Sequence, residues 1–138
     1  MRKSGEKWGK KPLPKNFVDE FKIEERQTYG YWCTQINATQ TIDALKPLKT
    51  RETYCVLAVT SRDLFEGKSS VCGLARPEES TGVFSFCRYD PWWPGNEEFA
   101  AQFLMRACYI MAHEITHMFG LTHCIYYECL MNGSNGPQ

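Results

Sequence analysis

All three histidines of this 138-residue chain lie in one short segment, at His113, His117 and His123. Histidine nitrogens are common ligands of Zn²⁺, and three of them leave one position of a tetrahedral site open for water or substrate. Glu114 follows the first histidine, where a carboxylate can reach such a water without binding the metal. The residue types therefore predict a catalytic zinc site in which Glu114 is the general base.

The spacing of these residues has a physical reason. His113 and His117 are four positions apart, so on a helix their side chains lie one above the other on the same face. Gly120 follows, and glycine tolerates the positive φ that ends a helix in a sharp turn. Such a turn brings His123 back towards the first two histidines. The segment therefore predicts a helix, a turn and a returning chain that together supply three ligands.

A long helix must carry the first two ligands. Asn96 is a good N-cap residue, and the apolar sequence after it predicts a helix from Glu97 to Phe119. Between Phe99 and Phe119 only Arg106 and Glu114 carry a full charge. A helix that is apolar on nearly all sides is typically buried, so we expect this helix to pack against a sheet.

Several β-rich segments precede that helix. Strands are predicted at Tyr29–Ile36, at Tyr54–Thr60, at Val71–Ala75 on a sheet edge, and at Val83–Arg88. The continuous apolar run Tyr54–Thr60 is typical of a central strand that is buried on both faces. Thr41–Leu45 predicts a short helix that ends near a proline. The order of elements predicts one compact α+β domain.

The residues after His123 resemble those of one peptidase family. The pattern His-Glu-x-x-His-x-x-Gly-x-x-His-Cys-x4-Cys-x-Met runs without a gap from 113 to 131. It resembles the archaemetzincins, a branch of the metzincin zinc peptidases, and a looser similarity extends from about Trp32 to Asn135. The resemblance implies a zincin or metzincin-like α+β fold, in which a mixed twisted β-sheet packs on a long buried active-site helix.

The resemblance also implies a role for each matching position. The three histidines would bind one catalytic zinc, and Glu114 would activate the water on it for attack on a peptide bond. Met131 would be the Met-turn residue, an apolar floor under the metal, and Gly120 would make the turn before the third ligand. The implied activity is that of a zinc metallopeptidase acting on peptides or proteins.

Cys124 and Cys129 carry a further implication of the resemblance. In the family they supply half of a second, structural zinc site, and a downstream Cys-x-x-Cys pair supplies the other half. That pair is absent from these 138 residues, so the resemblance predicts a domain without its C-terminal segment and leaves the second zinc open. The alternative function is a catalytically inactive zinc-binding domain, or a truncated fragment, that acts only by binding. An intact Glu114 favours the enzyme, because a site that only binds zinc needs no base.

Charge and composition set the domain boundaries and exclude some partners. The sixteen basic and sixteen acidic residues cancel, so no overall field favours nucleic acid. The first fifteen residues are nevertheless basic, which predicts a disordered tail and lead-in over residues 1–28 and the catalytic domain over 29–138. The basic residues of that tail are Arg2, Lys3, Lys7, Lys10, Lys11 and Lys15.

The sequence specifies less closely where in the cell the chain lies and which groups accept hydrogen bonds from the histidines. No apolar run is long enough to cross a membrane, and no apolar region follows the basic start. Seven cysteines, two of them in a metal-type spacing, favour the reducing cytoplasm or nucleus. Each ligating histidine needs an acceptor for its other N–H. Asp63 and backbone carbonyls are both candidates, and the oligomeric state is left open.

Overall fold

A computed structural model describes residues 17–28, 34–89 and 100–133 of the chain. Within these ranges the elements are α1 (Phe17–Glu20), β1 (Glu25–Gln27), β2 (Thr34–Asn37), α2 (Ala38–Leu45), β3 (Val56–Thr60), β4 (Asp63–Glu66), β5 (Ser69–Val71), β6 (Gly73–Arg76), β7 (Thr81–Ser85) and α3 (Ala100–Met118). The predicted α+β class with mixed sheets and one long helix is confirmed. The described strands form two sheets, however, where the sequence analysis expected one.

The two sheets share one apolar core. The four-stranded sheet has the order β1-β2-β4-β5, and the three-stranded sheet has the order β3-β7-β6. Each combines parallel and antiparallel pairs: β2 runs parallel to β4, and β3 runs parallel to β7. Helix α2 contributes Ile42 and Leu45 to a cluster that also holds Ile36 and Leu64 of the first sheet and Val83 of the second. The cluster therefore joins both sheets through α2.

Helix α2 agrees with its prediction in position but begins earlier. Asn37 caps it, since its side-chain oxygen accepts a hydrogen bond from the backbone N–H of Gln40 at 3.1 Å. The helix ends at Leu45 and is followed by a short 3-10 turn that contains Pro47. The sequence analysis placed the start of this helix at Thr41, because it did not recognise Asn37 as the cap.

Strand β3 is the main correction to the predicted sheet. It was expected to be central, yet within the described residues it pairs only with β7, and Val59 is 45% exposed. All five residues of β7 are buried, so β7 occupies the central position. The apolar run of β3 has another cause: Val56 and Ala58 pack in the main cluster while Leu57 packs in a second one.

A further difference concerns the N-terminal end of the domain. Phe17 and Ile23, in the stretch treated as a lead-in, are buried in the main core, so the packed domain includes residues 17–28. The predicted tail over residues 1–16, the strand start at 29–33 and the helix start at 96–99 lie outside the described residues.

Helix α3 places the metal-ligating segment against the second sheet. It packs on β6 and β7, and Ala107 contributes to a cluster with Phe84 and Tyr89. The opposite face is open: Leu104 and Met105 are more than half exposed, so the helix is buried on one side rather than all round. No helix in the described part of the chain is long and apolar enough to cross a membrane.

Candidate metal centre

The end of α3 and the turn after it bring the three histidines together. The helix ends at Met118, and Gly120 adopts φ +87° while its N–H donates to the carbonyl of His117 at 2.8 Å. A residue with a β-carbon is strained at this φ. The predicted turn at Gly120 is therefore present, and the chain returns so that His123 faces the helix.

The imidazole nitrogens converge on one point. Nε2 of His113 lies 3.0 Å from Nε2 of His117 and 3.2 Å from Nε2 of His123. Ligand atoms of the three residues all lie within 4.8 Å of one another. Two nitrogens on a tetrahedral zinc, each at about 2.0–2.1 Å, would be about 3.3 Å apart. The trio therefore has the spacing that a tetrahedral metal ion requires.

Hydrogen bonds on the outer nitrogens orient two of the rings. Nδ1 of His113 lies 2.6 Å from the carbonyl oxygen of Leu130, and Nδ1 of His117 lies 2.7 Å from that of Leu121. A carbonyl only accepts, so each Nδ1 donates a proton to it, and in the neutral imidazole each Nε2 then presents a lone pair. Lone pairs this close repel one another unless a cation lies between them, so the donor set fits a bound zinc.

Backbone carbonyls therefore accept the hydrogen bonds from the outer histidine nitrogens, a role for which Asp63 was also a candidate. Asp63 is fully buried and instead accepts two hydrogen bonds from Arg88, at 2.8 and 3.0 Å, and one from Gln35. Its charge is neutralised within the sheet region. The two carbonyls, from Leu121 and Leu130, are functional groups that sequence reasoning could not identify, because every residue has a carbonyl.

Burial differs along the three histidines, and it lowers the pKa of one of them. His113 is 8% exposed, His117 is half-buried and His123 is exposed. Burial lowers the pKa of His117, and the neighbouring His113 and His123 lower it further. A lowered pKa keeps this imidazole neutral near pH 7, which is the form that binds a metal.

Glu114 lies beside the ligands in a partly dry environment. Burial raises the pKa of its carboxyl group, and the charge of His113 opposes that rise to a smaller extent. The side chain packs against Gly73 of β6. Glu114 is therefore placed between the ligand-bearing helix and an edge strand, in an environment that makes its carboxylate more basic than usual.

A cavity of about 680 Å³ opens over these residues. One wall is the continuous segment 69–75, which includes β5 and part of β6, and the other is the inner face of α3. Burial raises the pKa of the Cys72 thiol and of the Tyr89 hydroxyl, which both line the cavity, so both groups are neutral near pH 7. The cavity is lined by Arg88, Tyr89, Tyr109, Ile110, Asn132, Glu114, the three histidines and the segment 69–75.

The segment after the third histidine is held by one side chain that the sequence analysis missed. Asn132 accepts from the N–H of Cys129 at 2.8 Å and donates to the carbonyls of Cys124 and Tyr127 at 2.9 and 2.7 Å. In the sequence, the signal that could have identified Asn132 was its position next to Met131. Met131 is buried, and its carbonyl accepts from the N–H of Cys124 at 2.7 Å.

Cys124 and Cys129 lie next to each other as free thiols. Backbone N–H groups of Tyr126 and Tyr127 lower the pKa of Cys124, with a smaller contribution from the Cys129 side chain. Among the described residues the only group of three or more potential ligands is the histidine trio. The two cysteines therefore have the chemistry of half a metal site, without further ligands in the described ranges.

Comparisons with known proteins agree with this geometry. The family model of peptidase family M54 matches residues 9–137. Archaemetzincin-2 of Homo sapiens is 32% identical over 128 residues, which cover 73% of this chain and 36% of the human protein. Archaemetzincin of Pyrococcus furiosus is 30% identical, with 78% and 57% covered. The chain thus spans about a third of the length of the human relative.

Two solved structures are similar to the whole arrangement. The crystal structure of archaemetzincin from Methanopyrus kandleri has a TM-score of 0.59 and 27% sequence identity, and the match covers 92% of this chain and 77% of that one. A zinc-dependent peptidase from Methanocorpusculum labreanum has a TM-score of 0.58 and 25% identity, with 70% and 62% covered. The two sheets and the ligand-bearing helix therefore belong to a known zinc-peptidase architecture.

Proposed function

We propose, starting from the fact that this chain belongs to peptidase family M54, that it is a zinc-dependent metallopeptidase that hydrolyses peptide bonds. The observation that carries the proposal is the convergence of three imidazoles beside a partly buried glutamate, with Nε2 of His113 at 3.0 Å from that of His117 and 3.2 Å from that of His123. A site with three protein ligands keeps a fourth position for water or substrate, which is the arrangement of catalytic zinc.

The chain's own residues divide the chemistry between them. A zinc ion held by His113, His117 and His123 would supply a Lewis acid that polarises the peptide carbonyl and acidifies water. Glu114 accepts a proton from the attacking water as its oxygen bonds to the carbonyl carbon. The same carboxyl group then donates that proton to the leaving nitrogen as the C–N bond breaks. The raised pKa of Glu114 suits both steps, because proton transfer is most efficient when the pKa of the base lies near the working pH.

Peptides in extended conformation are the substrates that the cavity fits best. Strand β6 lines the cavity, and in the described residues it pairs with β7 on one side only. An extended peptide can add to such an edge through backbone hydrogen bonds. This support comes from the edge position of β6 at Gly73–Arg76. The sequence analysis expected one edge strand at Val71–Ala75, but Val71 ends β5 in the other sheet.

The competing function is zinc binding without catalysis. The observation that favours it is the cysteine pair, since Cys124 and Cys129 meet no further potential ligand in the described ranges. We propose that the pair is half of a structural zinc site, that Met131 is the apolar floor of the catalytic site, and that activity requires the loop to be ordered around both. If the loop cannot order, the chain binds zinc and does not turn over.

The decisive experiment compares zinc content and peptide hydrolysis in three proteins. We expect the wild type to bind zinc and cleave an internally quenched peptide. Glu114→Gln retains zinc and loses roughly 100- to 10,000-fold in kcat, whereas His117→Ala loses zinc and activity together. Turnover by Glu114→Gln at the wild-type rate would refute the assigned base. A wild type that binds zinc and cleaves no peptide would support the binding-only function.

A further inference from the structure

Two glycines on neighbouring strands lie under one face of α3. Glu114 and Met118 are one helical turn apart, and each faces one of these glycines. A β-carbon built on Gly82 of β7 would lie 3.1 Å from Sδ of Met118. A β-carbon built on Gly73 of β6 would lie among the atoms of the Glu114 side chain. The helix therefore approaches the sheet at two points where the strand has no side chain.

The contact at Gly73 is the tighter of the two. The added β-carbon would lie 2.8 Å from Cγ, 2.9 Å from Cδ and 3.0 Å from Oε1 of Glu114. These distances are well below the usual contact between carbon atoms, about 3.5–4.0 Å. Gly73 does not have positive φ, so its backbone would accept alanine. The three nearest atoms all belong to the carboxylate arm of Glu114, which can rotate away.

Packing is what restricts that arm. The Glu114 side chain is half-buried and lies against β6 at Gly73, where its Cγ, Cδ and Oε1 atoms make the closest approach. The histidines, by contrast, are oriented by hydrogen bonds from Nδ1. The surface of β6 at Gly73 is therefore the main constraint on where the carboxylate lies.

We propose that Gly73 is a positioning residue for Glu114: its missing side chain leaves the space in which the general base sits beside the three histidines. This inference rests on the proposed peptidase function for its kinetic consequence, and on the packing alone for its structural consequence. A methyl group at position 73 would displace the carboxylate without removing a zinc ligand, a charge or a hydrogen bond.

The kinetic test compares Gly73→Ala with Gly82→Ala, which alters the same helix–sheet contact without touching Glu114. We expect Gly73→Ala to keep its zinc and its KM and to lose on the order of 100-fold in kcat, the size of loss that a displacement of about 1 Å can cause. Gly82→Ala should lower the Tm, because its β-carbon would also lie 3.2 Å from the carbonyl oxygen of Leu74 and 3.3 Å from Cδ1 of Leu57, and it should lose far less in kcat. Equal losses in the two variants, or an unchanged kcat in Gly73→Ala, would overturn the proposal.

A second test does not depend on peptidase activity. In zinc-free protein, Gly73→Ala is introduced into the wild type and into Glu114→Ala, and the Tm of all four proteins is measured. With Glu114 truncated, alanine at 73 fits and should raise the Tm, because it reduces the conformational freedom of the unfolded chain. With Glu114 present, the gain should vanish or reverse. The same Tm shift in both backgrounds would refute the contact, even if the enzyme is active. Different shifts in a chain that cleaves no peptide would support the contact and refute only the peptidase function.

Discussion

The candidate metal centre has two halves of different construction. One half is the end of α3, where His113 is 8% exposed and the helix packs on β6 and β7. The other half is the segment 119–133, which contains His123 and has no regular helix or strand. The exposed side chains of Ile125 and Tyr126 belong to this second half. One half is therefore held by the core, and the other by local hydrogen bonds.

The hydrogen bonds of the loop half converge on a few groups. Asn132 binds three backbone groups of the loop. Three side-chain bonds then cross to the helix. The Tyr109 hydroxyl donates to the carbonyl of Cys129 at 2.8 Å, and Nδ1 of His113 and of His117 donate to those of Leu130 and Leu121 at 2.6 and 2.7 Å. His113 therefore serves both halves, as a ligand and as an anchor for the loop.

The difference indicates how the site is completed. The helix half is preorganised, because apolar burial holds it whether or not a metal is present. The loop half buries little apolar surface, so binding of a metal by His123 would add a large share of its stability. Zinc would then link the two halves of the site in addition to its catalytic role. Three predictions test this division.

The largest expected effect is a contrast between two ligand substitutions. Both His113→Ala and His123→Ala should abolish zinc binding. In zinc-free protein, however, His113→Ala should lower the free energy of unfolding by about 1–3 kcal/mol, because it leaves a cavity and an unpaired carbonyl. His123→Ala should change it by less than about 0.5 kcal/mol. Urea unfolding and elemental analysis measure both, and equal destabilisation would contradict the division into two halves.

A smaller effect is expected from the loop's central side chain. Asn132→Ala should weaken zinc binding by roughly 10- to 100-fold, as loss of a supporting group around a metal site does. It should also lower the free energy of unfolding of zinc-free protein by only about 1 kcal/mol. Hydrogen exchange at the amide of Cys129 should accelerate while amides of β7 keep their protection. Thr122→Ala, an exposed change in the same segment, is the control, and matching behaviour of the two variants would exclude a specific role for Asn132.

The smallest expected effect is a pH-dependent change in stability that comes from Glu114 in the helix half of the site. Burial raises the folded-state pKa of Glu114 above its ordinary value of 4.5, so the carboxyl group opposes folding once it ionises. The stability of zinc-free wild type therefore declines as pH rises from 4.5 through the folded pKa. Glu114→Gln has no such decline, so its Tm should match that of the wild type below pH 4.5 and exceed it near pH 7. A Tm difference that does not change with pH would refute burial as the cause.

The features that the sequence analysis identified share one property, which is that they are local. The turn at Gly120 and the end of α2 depend on residues within a few positions of one another, and both are confirmed. The spacing of the three histidines is equally local, and the structure brings their side chains together. The edge position of β3 was not identified, because it depends on which strand pairs with β7. The apolar pattern of a strand is the same whether the strand is central in a sheet or lies at an edge with its two faces packed in different clusters.

The amino-acid sequence by itself determined the spacing of the candidate ligands, since helical geometry places His113 and His117, four apart, on one face regardless of the rest of the fold. Tertiary structure decided what surrounds those ligands. The contact between Gly73 and Glu114, the carbonyl of Leu130 on His113 and the engagement of Asp63 by Arg88 each join residues distant in sequence. Such pairs come together only when the strands, the helix and the loop pack around one core, because a contact between distant positions follows from the packing of whole elements and not from local geometry.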